Sequence, residues 1–288
     1  MLSSPLKEKA LSTQRAEMTE HVVYTQLSRF SQNLRQKEIM MKIADKELQH
    51  YQFWKTHTKS EVACNKYKAW WYVGIARVCG ITFGLKLMER DEEKADLTDD
   101  ELAQLSPEAD THMKDEAHEL VLIDSIAEER LKYMGSVVLG LNDALVELTG
   151  ALAGYTLALQ NVRLIAVTGL ITGISAALSM AASEYLSTKT EGESKAPLTA
   201  SFYTGSVYLF AVALLILPYF LFDNLYLCLG STMLIAIALI VVFTFYITVA
   251  KGISFKKRFF EMAPVTLGIA ALTFFVGFLV KTFFHLEV

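Results

Sequence analysis

The chain has 288 residues, 52% of them hydrophobic, and a formal net charge of −4. That length accommodates two domains, and the modest negative charge argues against nucleic acid as a partner. Charge is unevenly placed, because residues 1–133 hold 19 of the 27 Lys+Arg and 23 of the 31 Asp+Glu, leaving 8 and 8 for the other 155 residues. The split predicts an all-α protein with a soluble domain over 1–133 and a membrane domain over 134–288.

The opening stretch MLSSPLKEKALSTQRAEM is polar and lacks an apolar core, so no signal peptide is expected and the soluble domain is expected in the cytosol. Four helices follow from the pattern, over Gln14–Asn33, Gln36–Thr56, Tyr67–Lys94 and Pro107–Tyr133. Without internal proline or strand-like alternation, they predict a four-helix bundle. Nothing breaks the pattern between Pro107 and Gly135, so the fourth helix is expected to run on into the first span. The cysteines, Cys64, Cys79 and Cys228, lack metal-ligand spacing and read as buried thiols. Trp54, Trp70 and Trp71 read as core or interface residues.

Carboxylates and histidines fall in register along these helices. The second reads KELQHY, placing Glu47 and His50 three apart on one face, and the fourth reads KDEAHE, placing Asp115 and His118 likewise. The first offers Glu20 with Tyr24 one turn later, and the third offers Glu89 and Glu92. A di-iron carboxylate bundle takes a Glu from each of two helices and Glu-x-x-His from each of the others. Carboxylate oxygen with imidazole nitrogen suits Fe(II), and also Mn(II) and Zn(II).

The order of these residues resembles the rubrerythrin-like, ferritin-like di-iron domains. The resemblance implies Glu20, Glu47, His50, Glu89, Glu92 and His118 as metal ligands. It departs at Asp115, where that family has Glu, and the neighbouring Glu116 is a candidate substitute. No Cys-x-x-Cys knuckle is present, so the electron relay of full rubrerythrins is not expected.

Five apolar spans come next, over Met134–Leu159, Leu164–Leu186, Ser201–Leu221, Leu225–Ala250 and Ala263–Phe284. Lys189 and Lys195 after the second span, and Lys251, Lys256, Lys257 and Arg258 after the fourth, place the N-terminus in the cytosol and the C-terminus opposite. The first span carries Asp143 and Glu147, four apart on one face. A charged group at the bilayer centre costs roughly 2.5–3.5 kcal/mol on insertion scales and is by default a functional-site hypothesis. Gly150 and Gly154 beside them let another helix approach closely. The second span aligns Gly169, Gly173, Ala177, Met180 and Glu184, and the fifth begins near Glu261 and Met262. Thioether with carboxylate suits a divalent first-row metal in transit, so Met180, Glu184, Glu261 and Met262 are expected to form a cytosolic mouth leading to Asp143 and Glu147.

GSVVLGLNDALVELTGALAGYTLAL, GLITGISAALSMAASEYLS and KKRFFEMA resemble the vacuolar iron transporter family. The resemblance implies a homodimer that moves Fe(II) or Mn(II) out of the cytosol in exchange for protons, with Asp143 and Met180 on the path; the membrane expected is the cell membrane. Two features differ from plant-type members. The loop over Thr188–Thr199 lacks a long acidic insert, and Thr172 stands where those members carry a carboxylate. The function expected is a metal exporter whose ferritin-like domain captures, oxidises or senses iron. The alternative is a membrane-tethered di-iron oxidoreductase, a ferroxidase or peroxidase, anchored by the spans. No catalytic residue is assigned, and the ligand types leave iron against manganese open.

Overall fold

Asparagine side chains start two of the helices in the N-terminal part of the chain. In the computed structural model, which describes residues 4–31, 33–92, 132–191 and 196–284, α1 (Ser4–Phe30) turns into α2 (Leu34–Thr58) at Asn33. The Asn33 side chain accepts from the backbone N–H groups of Arg35 and Gln36, satisfying donors that helix geometry leaves orphaned. Asn65 caps α3 (Lys66–Cys79) in the same way through Lys68, and α4 (Ile81–Glu92) follows at once. The apolar stripe of α1, with Tyr24 and Leu27, and that of α2, with Met40 and Ile43, are buried. α1 packs along α2 and also meets α3 and α4.

The helix expected over Tyr67–Lys94 is two helices. Gly80 separates them with φ 105 and ψ 149, a region open essentially to glycine alone. The chain then doubles back so closely that a Cβ on Gly84 would lie 2.5 Å from the Ala76 Cβ. The described residues of this unit therefore hold three of the four expected helices, the third in two pieces. The fourth expected helix, over Pro107–Tyr133, falls outside them except for its last two residues, and with it the expected continuity into the first span.

The chain divides into two compact units, Met1–Glu128 and Glu129–Val288. The second contains α5 (Met134–Leu159), α6 (Val162–Glu191), α7 (Pro197–Leu221), α8 (Leu225–Lys251) and α9 (Phe255–Phe284), all long and apolar enough to cross a membrane. At ~1.5 Å per residue, even the shortest exceeds the ~30 Å hydrocarbon core. The fifth begins eight residues before the expected Ala263. Pro264, which reads as a helix-start signal, lies inside α9, one turn and more after the basic residues Lys256, Lys257 and Arg258.

α5 is the hub and packs against each of the other four spans. Leu141, Leu145, Leu148 and Leu152 form its buried ridge, facing Tyr208, Val212, Leu215 and Ile240. Close approach relies on small residues, as membrane interiors favour. A Cβ on Gly140 would come within 2.5 Å of the Thr204 carbonyl oxygen, and one on Gly277 within 2.3 Å of that of Gly154. Threonine hydroxyls cross the same seams, Thr204 donating to the Ser136 carbonyl at 3.1 Å and Thr273 to that of Gly150 at 2.7 Å. Gly150 and Gly154 thus receive α9 of the same chain. Gly169 and Gly173 lie against Leu152, Ile216 and Val212, also of the same chain. Neither Gly-x-x-x-Gly face remains open for a second copy.

Candidate metal sites

The N-terminal unit buries two carboxylates and an imidazole together. Glu47, His50 and Trp54 lie at i, i+3 and i+7 on α2, one face of the helix, and all three are buried. Opposite them α1 presents Glu17, 3% exposed. His50 Nδ1 stands 3.3 Å from Glu17 Oε2 and 3.5 Å from Glu47 Oε2, and Trp54 Nε1 donates to Glu17 Oε1 at 3.1 Å. Ligand atoms of Glu17, Glu47 and His50 all lie within 4.8 Å of one another.

Two buried carboxylates sharing one imidazole are costly unless a cation or full hydrogen bonding compensates them. Glu17 Oε2 has no aligned hydrogen-bond donor. An orphaned carboxylate oxygen beside a second carboxylate and an imidazole nitrogen is a donor set suited to Fe(II), Mn(II) or Zn(II).

Of the residues expected to ligate, the structure brings together Glu47 and His50, with Glu17 as the α1 member. Glu20, one turn on, is also buried, but it lines an adjoining cavity of about 210 Å³ with Thr19, Tyr72, Met88 and Asp91. In that cavity Tyr72 donates to Asp91 at 3.0 Å. Glu89 is half-buried on α4. The Glu92 side chain, Asp115, Glu116 and His118 lie outside the described residues. The signal for Glu17 was present in the sequence: Glu17, Glu20, Tyr24 and Leu27 recur at helical spacing and all are buried. Of the cysteines, Cys228 is buried while Cys64 and Cys79 are only half-buried.

In the membrane unit, Asp143 lies nine residues into the 26-residue α5, ~14 Å along its axis and well inside the candidate span. It is half-buried. Glu147, one turn on, is open to the outside of the single chain yet accepts a hydrogen bond from the fully buried Tyr208 hydroxyl at 2.8 Å. The adjacent Asn142 Oδ1 is buried with no hydrogen-bond partner. Two carboxylates, an unsatisfied amide oxygen and a phenol are therefore grouped along one stretch of α5 and α7.

Helix registers fix the levels of the remaining residues. Tyr155 meets Thr172 and Ser136 meets Glu184, at 3.2 and 2.5 Å, so α5 and α6 are antiparallel. Glu184 then lies level with the start of α5, and Met180 one turn deeper, level with residues 140–143. Met180 is half-buried against the apolar core. α9 runs parallel to α5, since Thr273 meets Gly150 and Gly277 meets Gly154. That register puts Glu261 and Met262 at the same end as Glu184. Glu261 is exposed and accepts from Arg258 Nη1 at 3.4 Å, and Met262 sits within the core cluster.

Residues 134–196, which comprise α5, α6 and the connection after them, match the model of the VIT family. No curated protein and no solved structure matches the chain.

Proposed function

From the VIT-family stretch we propose that the chain is a divalent-metal transporter that exports Fe(II), and Mn(II) as a second substrate, from the cytosol by proton antiport. The observation that carries this reading is the Asp143–Glu147 pair inside the first apolar span, with Tyr208 holding one of its members. Acids at that depth are expensive and mark ion routes. Charge balance suggests the exchange: a divalent cation arriving between two carboxylates neutralises them, and two protons returning do the same, so the site is uncharged in either loaded state. Glu184 and Glu261 form the cytosolic mouth, with Met180 and Met262 as soft donors on the way to Asp143. A second copy covers the open side of Glu147, making the working unit a homodimer. The N-terminal unit lies in the cytosol as a ferritin-like capture domain, and Glu17, Glu47 and His50 hold metal there before release to the spans.

The test is metal uptake into proteoliposomes under an imposed pH gradient. Asp143→Ala abolishes flux on this reading, and flux equal to wild type refutes the path. The buried cluster favours one other reading, a membrane-tethered di-iron oxidoreductase acting as ferroxidase or peroxidase. Peroxide or oxygen consumption without metal flux distinguishes it. Deleting residues 1–130 separates capture from sensing: losing a sensor alters regulation and leaves basal flux intact.

A further inference from the structure

α3 carries an aromatic stripe that no other element among the described residues covers. Its sequence, KYKAWWYVGIARVC, has three basic residues and no acidic one. Tyr67, Trp70, Trp71, Gly74 and Val78 recur at helical spacing along one face. Trp70 is 78% exposed, Tyr67 89% and Val78 79%, and a Cβ added to Gly74 would meet nothing within 4 Å. The opposite face, Ala69, Tyr72, Val73 and Ala76, is buried. Lys66 and Lys68 stand exposed at one end of the stripe. At the other, the Arg77 guanidinium lies 4.0 Å over the ring of Phe30, itself half-exposed.

A contiguous apolar patch on a soluble unit marks an interaction surface. This one has a particular composition. Indole and phenol rings are the side chains that favour the boundary between water and acyl chains. A helix with such rings on one side and lysines along its edge has the character of one lying in the membrane interface. The helix has no acid of its own, so Lys66, Lys68 and Arg77 complement anionic headgroups. The bilayer is also always within reach, because this unit and the spans belong to one chain, which keeps its effective concentration at the surface high.

We propose that this face of α3 docks on an anionic bilayer surface, with Trp70 and Trp71 at headgroup depth and Lys66 and Lys68 beside lipid phosphates. The proposal requires only that the second unit be embedded in a membrane, and it stands apart from the transport reading. The chain offers a direct probe: its three tryptophans, Trp54, Trp70 and Trp71, all lie in the N-terminal unit, and Trp54 is buried. The full chain is placed, one copy per disc, in nanodiscs of equal phosphatidylcholine and phosphatidylglycerol, with either ordinary or brominated acyl chains. Bromine should remove a clear share of the indole emission, up to about two thirds if the three rings emit equally, because two of them sit at the interface. The double variant W70F/W71F, which retains only Trp54, should lose none. Wild-type emission that brominated lipid leaves unchanged overturns the proposal, whether the indoles are then open to acrylamide or shielded by residues 93–131. Equal quenching in wild type and the double variant, or shielding that appears only when two copies share a disc, overturns it as well.

Discussion

Glu17→Gln separates metal binding from folding, because the two should respond with opposite sign. Gln retains a carbonyl oxygen able to accept the Trp54 Nε1 hydrogen bond, now 3.1 Å from Glu17 Oε1, so packing is preserved. What disappears is one of two like charges crowded around the His50 ring, 3.3 and 3.5 Å from its Nδ1. Buried ionic groups are often neutral or unfavourable to stability compared with uncharged replacements, so the metal-free variant should melt at or above wild type. For the metal, one of three donors is lost, and one of the two anionic ones. Changes to residues that merely support metal ligands cost 10–100-fold in affinity. Loss of a ligand should therefore cost about 100-fold or more, which is about 2.8 kcal/mol at 1.4 kcal/mol per decade. The assay is Mn(II) titration followed by electron paramagnetic resonance on the full chain, in an Asp143→Asn background that silences the span site. Glu20→Gln, one turn away at the adjoining cavity, should weaken binding less. If Glu17→Gln binds Mn(II) as wild type does while Glu20→Gln abolishes binding, the assignment of the α1 ligand is wrong.

Three further outcomes follow from the packing. Gly277→Ala brings a Cβ within 2.3 Å of the Gly154 carbonyl oxygen, backbone against backbone, and overpacking of this kind costs about 1–3 kcal/mol. Its melting temperature in detergent should fall, while Gly268→Ala, whose Cβ would meet nothing within 4 Å, should leave it unchanged or higher. Gly80→Ala forces an L side chain to φ 105 and should cost about 1–3 kcal/mol, read as an earlier denaturant midpoint in tryptophan emission, with Gly74→Ala as the neutral or stabilising control. Burial pushes the Cys79 thiol above the ordinary cysteine range. In a Cys64→Ala/Cys228→Ala background its alkylation should be slow at neutral pH and still rising above pH ~8.5, the usual thiol value. A plateau below that pH refutes the direction.

The spans were legible because membrane crossing is a matter of length and apolarity, which a sequence carries directly. Met134–Leu159 has the same limits by either route. Helix starts were legible to within two residues where an asparagine side chain makes the cap, at Asn33, Asn65 and Asn224. The first helix, by contrast, ends three residues before, and starts ten residues before, the expected Gln14–Asn33. α9 starts eight residues before the expected fifth span because an apolar run marks only the crossing, and the more polar turns from Phe255 to Met262 continue the same helix ahead of it. The break at Gly80 was not legible, since a single glycine within a helical pattern is compatible with continuing or ending it, and only the backbone angle decides. Glu17 and Glu20 posed a similar ambiguity. Three residues apart on one stripe, both are buried, and periodicity alone does not say which meets His50. The glycine pairs announced close helix contacts without naming the partner, which proved to be α5, α7 and α9 of the same chain and not a second molecule.

The two tightest approaches to α5 bracket its acids. α7 grips the helix at Gly140, and α9 grips it from Gly150 to Gly154, leaving Asp143 and Glu147 on the segment between two clamps. A rod held at both ends neither slides nor rolls without breaking one grip. On the transport reading proposed above, cargo meets those acids through rotamer changes and shifts of neighbouring helices, while α5 itself serves as the fixed rail.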